Sequence, residues 1–126
     1  MMGNQGQAAE VVKVLDPVSA AATVNATSGW IDVRKYEGDV QIVLQVGAMT
    51  GSITWTVEDA TDGAGAGGAG FSGLNEGAFA AGAANQVQKR TIRGRATRGF
   101  IRVVGTIVTG PSLVAGHIAA HPKYTT

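Results

Sequence analysis

Cysteine is absent from the 126-residue sequence. That excludes a disulfide framework, a Cys-based zinc site and a thiol nucleophile. Aromatic residues make up only 6% of the chain, so any core must be assembled mainly from Val, Ile, Leu and Ala. No apolar run approaches the roughly 20 residues of a membrane-spanning helix. Residues 1–10 also lack the basic start and apolar stretch of a secretory signal. The expectation is a soluble protein made in the cytoplasm, without a membrane partner.

The most informative shortage is of acid. Residues 77–126 contain no Asp or Glu, while seven of the ten bases fall there: Lys89, Arg90, Arg93, Arg95, Arg98, Arg102 and Lys123. Residues 1–76 hold all nine acids against Lys13, Arg34 and Lys35. The net charge of +1 thus conceals halves of −6 and +7. Such asymmetry bears on association rather than on fold.

What is present is β-pattern. Val40, Ile42, Leu44 and Val46 alternate with Gln41, Val43, Gln45 and Gly47, and Ile53, Trp55 and Val57 alternate with Ser52, Thr54, Thr56 and Glu58. A period of two is the mark of a strand with one buried face. Further strands are expected at Glu10–Leu15, ended by the turn signal Asp16-Pro17, and at Ser19–Ala26, Trp30–Arg34, Gln86–Arg93, Phe100–Thr109 and Leu113–Ala120. Tyr36-Glu37-Gly38-Asp39 reads as a turn. About eight short strands without a helical period predict an all-β, antiparallel β-sandwich, jelly-roll-like. The expected organisation is a flexible arm at 1–9 and one β-sandwich domain over 10–123, with a Gly-rich loop at 60–85. In that loop the run Gly63–Gly70 has too little side chain to pack as an element. Phe71, Leu74 and Phe79 pin the rest to the body.

The search for chemistry is thin. Two histidines, His117 and His121, are too few for a metal centre without convergent partners. Glu58, Asp59 and Asp62 lack the ligand spacing of a calcium loop. No Gly-x-Ser-x-Gly elbow is present, and no Gly-Lys-Ser/Thr follows the glycine run. Neither enzymatic activity nor a cofactor or metal is expected.

The concentrated signal is the segment from Lys89 through Arg90, Arg93, Arg95 and Arg98 to Arg102. Without interleaved aromatics it offers nucleic acid little to stack on, so nucleic acid ranks last as a partner. An acidic protein surface, or the acidic part of a sister subunit, ranks first. A solvated edge that resists aggregation stands between them. If Ile101, Val103 and Ile107 face the core, then Phe100, Val104 and Val108 form an outward apolar row, beside those bases, as in an interface. The competing reading buries that row beneath residues 71–85.

The stretches Trp30-Ile31-Asp32-Val33-Arg34-Lys35-Tyr36-Glu37-Gly38, Leu44-Gln45-Val46-Gly47 with Thr50-Gly51, and Thr56-Val57-Glu58-Asp59-Ala60-Thr61-Asp62-Gly63 carry a resemblance. So do Phe100-Ile101-Arg102-Val103-Val104-Gly105-Thr106 and His121-Pro122-Lys123. Over residues 10–123 the chain resembles small structural proteins of tailed bacteriophages, and in particular capsid decoration, or cement, proteins. The resemblance implies a β-sandwich on the virion capsid surface, bound to the major capsid protein as a homodimer or homotrimer. Alternatives are a head–tail or tail component, or a carbohydrate-binding module using Trp30 and Tyr36.

Overall fold

A computed structural model describes residues 10–22, 26–93 and 96–122. The arm at 1–9, Arg95 and Lys123 lie outside the described residues. Eight strands follow in chain order: β1 (Glu10–Ala20), β2 (Ile31–Asp32), β3 (Tyr36–Met49), β4 (Ser52–Ala60), β5 (Ala69–Gly70), β6 (Gln86–Arg93), β7 (Phe100–Thr109) and β8 (Ser112–Pro122). They form two four-stranded sheets, in the orders β1-β8-β3-β6 and β2-β7-β4-β5, and every pairing is antiparallel. Only the β4–β5 connection stays within one sheet; all others cross between sheets. That is the two-sheet jelly roll that the strand spacing predicted.

Alternation decides what goes inside. Val40, Ile42, Leu44 and Val46 of β3 and Ile118 of β8 face Ile53, Trp55 and Val57 of β4 and Ile101 and Val103 of β7, and all are buried. Each such side chain contributes about 1.5–3 kcal/mol on leaving water. The layers approach closely where glycine stands. A Cβ at Gly105 would lie 2.7 Å from the Trp55 ring, 2.9 Å from Ile53 and 3.0 Å from Ala26.

Three local readings are corrected. Asp16-Pro17 does not end a strand: β1 runs through it, with register shifts between Lys13 and Leu15 and between Leu15 and Val18. β1 is an edge strand, and a bulge there tolerates a residue without an N–H. Tyr36–Asp39 is likewise the opening of β3, with a register shift against β8 after Glu37 and Gly38 at φ 70. Of the strand expected at Ser19–Ala26, Ser19 and Ala20 belong to β1, Ala21 and Ala22 form a bend, and residues 23–25 lie outside the described residues. The eighth strand comes instead from the glycine run, where Ala69 and Gly70 pair with Asp59 and Glu58. Backbone pairing needs no side chain, so a composition of Gly and Ala does not forbid it.

Residues 71–85 do not overlie β7. They close the side of the sandwich between the edges of β4 and β6. Phe71 N donates to Val57 O and Gly82 N to Ile53 O on β4. On β6, Asn75 N donates to Thr91 O, while Glu76 accepts from the Thr91 backbone N (2.7 Å) and hydroxyl (2.8 Å). Ala80 and the Gln88 side chain exchange two further bonds, and Phe79 is buried in the core. The segment satisfies edge groups that would otherwise template another strand.

The Gly105 approach makes a test. Gly105→Ala is expected to lower stability by about 1–3 kcal/mol through overpacking. Gly70→Ala, where an added Cβ meets nothing within 4 Å, is expected to stay within about 0.5 kcal/mol. Urea unfolding of the two variants checks this.

Candidate functional site

Of the nine residues singled out as a docking patch, the eight described ones do not share a surface. Lys89 and Arg93 are exposed on the outer face of the β1-β8-β3-β6 sheet. Phe100, Arg102, Val104 and Val108 belong to β7 and point outward from the opposite sheet, while Arg98 precedes β7. Arg90 lies on the inward side of β6, and Arg95 is outside the described residues. A single basic stretch is split because successive strands of a jelly roll cross between sheets.

Most of its arginines are engaged within the molecule. Arg98 donates four hydrogen bonds to Asp59 at the end of β4. Its backbone N reaches Oδ2 at 3.0 Å, Nε and Nη2 reach Oδ1 at 3.2 and 2.9 Å, and Nη2 reaches the carbonyl at 2.6 Å. Burial works against the charged form of Asp59. The bonds and charge of Arg98 outweigh it and hold the carboxyl below its ordinary range. Arg102 Nε donates to Glu58 Oε1 at 2.7 Å, and its guanidinium lies 4.6 Å from the centre of the Trp30 ring. Glu58 and Arg102 are directly opposed in the β4–β7 register. Arg90 donates to the Gly77 and Ala78 carbonyls and stacks over Phe79 at 5.0 Å.

The glycine run is shaped around the same cluster. Asp62 Oδ1 accepts from Ala64 N and Ala66 N, closing a tight turn, and these bonds keep the Asp62 carboxyl below its ordinary range. A Cβ at Gly65 would sit 2.5 Å from the Trp30 indole nitrogen, and one at Gly67 3.1 Å from the Arg98 guanidinium. Gly65 and Gly67 have φ of 87° and 68°, which glycine adopts without strain. The acidic cluster at 58–62 is therefore a set of ion-pair and turn acceptors. Among the described residues no group of three or more His, Asp or Glu side chains could hold a metal ion.

The outward apolar row is uneven. Val108 is exposed, whereas Phe100 and Val104 are half-buried. The Arg34 guanidinium covers Phe100 at 4.7 Å and pairs with Asp32 at 2.9 Å. The aromatic pair considered for sugars is not an open platform either. Tyr36 is buried, and its hydroxyl donates to Glu10 Oε1 at 2.7 Å. Burial, then that bond and the Glu10 charge, push the Tyr36 hydroxyl well above its usual range. Trp30 is occupied by Arg102 and the glycine turn.

At one end of the sandwich a cleft of about 600 Å³ is lined by Arg34, Glu37, Asp39, Arg93 and Arg98 among others. Its charges are of both signs. Among the described residues, no helix is long and apolar enough to cross a membrane.

No family model matches the sequence, and no curated protein matches it. Among solved structures, the chain is similar to the SPBc2 prophage-derived protein YomS, at 11% identity and a TM-score of 0.55. The likeness covers 89% of this chain and 93% of that one. At such low identity it is a likeness of fold.

Arg98→Ala is expected to destabilise the protein by about 2 kcal/mol, because it removes both guanidinium donors and the neighbouring charge from the buried Asp59 carboxylate and leaves it only the backbone N of residue 98. The lowered Asp59 carboxyl stabilises the fold above its unfolded value of 3.8. That contribution is lost as pH falls through the lower, folded value. Asp59→Asn is therefore expected to flatten the acid limb of stability against pH, read by urea unfolding across the acid range.

Proposed function

We propose that this chain is a structural protein of a bacteriophage virion, a capsid decoration protein that binds the outer head surface as an oligomer and stabilises the shell. The observation that carries the reading is a likeness of fold to a prophage-derived protein that covers most of both chains. The sequence resemblance over residues 10–123 points the same way.

The physical properties fit such a task. The sandwich has a mainly aliphatic core, and one side of it, between β4 and β6, is closed by the 71–85 segment. Two of its ion pairs, Asp59–Arg98 and Glu58–Arg102, fasten β4 to the β7 side and seat the glycine turn. A decoration protein needs a rigid body that presents surfaces rather than a reaction centre. Modest contacts from each copy become stable attachment when an oligomer engages several capsid subunits together.

The deciding experiment adds purified protein to undecorated heads of the phage that encodes it and images them by cryo-electron microscopy. Stoichiometric, symmetric density on the outer shell is the expected result. Density confined to the tail would make the protein a tail component, and no density at all would refute virion binding. Light scattering after size exclusion is expected to show a dimer or trimer.

A further inference from the structure

The two outer faces of the sandwich differ in how their charges are used. On the β2-β7-β4-β5 face, Arg102 is held by Glu58 and Arg34 by Asp32. On the β1-β8-β3-β6 face, Lys89 and Arg93 have no ion-pair partner among the described residues. Three of the five exposed large hydrophobic side chains among the described residues also stand on this face: Val11 at 67%, Val87 at 60% and Leu113 at 47%.

Strand register aligns two lysines with a histidine between them. Lys13 of β1 is opposite His117 of β8, His117 is opposite Val43 of β3, and Val43 is opposite Lys89 of β6. One row therefore crosses all four strands, spanning about 14 Å at the usual strand spacing. It contains no acid, although Lys13 also reaches Asp16, displaced to the edge by the β1 bulge. The neighbouring row of Val11, Ala119, Gln41 and Thr91 is uncharged. On the other side, Ala115, Gln45 and Val87 are uncharged too. The acids of the face are Glu37 and Asp39 at its far end, opposite His121 and Arg93, and two at its margins: Asp16 beside Lys13 at the β1 edge and Glu76, held by Thr91, at the β6 edge.

We propose that the outer face of the β1-β8-β3-β6 sheet is the docking surface of this protein and that it takes an acidic protein surface, with carboxylates opposite the Lys13–His117–Lys89 row and apolar contact beyond it. The proposal rests on the reading of the chain as a head-binding protein and assigns the face and the chemistry of the partner. In plan the face measures on the order of 600 Å² from strand spacing and rise. That is the scale of the roughly 800 Å² that each partner contributes to a stable interface. A second copy is the poorer occupant. A two-fold axis along the strands sets Lys13 against Lys89, and one across them through this row sets each lysine against its own copy. Nucleic acid would leave the exposed valines and leucine without a role, since its affinity comes from phosphate contacts.

The test compares wild type, Lys13→Glu with Lys89→Glu, the milder Lys13→Gln with Lys89→Gln, and Val108→Asp on the opposite face. Each is titrated onto undecorated heads at low and high salt, with thermal unfolding as a check of folding. Wild-type binding is expected to weaken with salt. The reversal pair is expected to weaken binding about tenfold or more, the glutamine pair by less, and Val108→Asp to leave it unchanged. If the reversal pair does not fold, the glutamine pair carries the comparison. Equal binding by the lysine variants, or a loss confined to Val108→Asp, overturns the assignment of the face. So does a change of oligomeric state in the lysine variants, which would make this face a contact between copies. Binding to duplex DNA that the lysine variants abolish would replace the acidic protein by nucleic acid. Failure of the wild type to bind heads is a different result, visible before any variant is compared, and removes the head-binding reading together with this proposal.

Discussion

Strand β8 holds the first sheet together. It lies between β1 and β3, and β1 has no other strand neighbour in the sheet. The pairing joins Glu10–Ala20 to residues near the end of the chain, with Glu10 opposite Ala120 and Ala20 opposite Ser112. β3, the longest strand, also takes β8 as a partner, so the centre of the sheet is made by a segment that arrives last. Closing loops of that size is entropically demanding, and topologies dominated by distant pairings fold slowly. The Tyr36 hydroxyl reinforces the arrangement by reaching Glu10 from β3, beyond the intervening β8.

The charge split along the chain acquires a meaning in that topology. Acids from the first half and bases from the second meet along β4, Glu58 with Arg102 across the β4–β7 ladder and Asp59 with Arg98 just before β7. Cross-strand opposite charges favour the correct register, because a slip by one residue would carry Arg102 to the other face. Trp30 and the Gly65–Gly68 turn then pack around the pairs. A segment that looks like a basic docking stretch is for the most part internal fastening. Lys89 and Arg93 remain available, and they stand on the other sheet.

Legibility followed the range of the interaction involved. The alternation at 40–46 and 52–58 predicts β3 and β4 because a strand with one dry face writes its own period of two. Gln86–Arg93 and Phe100–Thr109 likewise match β6 and β7 at their ends. The breaks at Asp16-Pro17 and Tyr36–Asp39 misled because turn chemistry and bulge chemistry use the same residues, and only a neighbouring strand distinguishes them. β5 left no pattern at all, since two residues joined through backbone bonds carry no side-chain signal. For the candidate site, the residue types were legible and their grouping was not. The predicted patch of Lys89, Arg90, Arg93, Arg98, Phe100, Arg102, Val104 and Val108 is divided between two faces and an interior edge.

By itself, then, the sequence determined that the chain builds antiparallel strands around an aliphatic core without disulfides, and that its two halves attract one another electrostatically. Those properties follow from composition and from periodicities only a few residues long. The tertiary structure alone decided which charges are spent on each other and which face solvent. Register across β1, β8, β3 and β6 places Lys13, His117 and Lys89 in one row although they lie far apart in the chain. Side-chain alternation turns neighbours in the chain to opposite sides, so a surface in this fold is assembled across strands rather than along them.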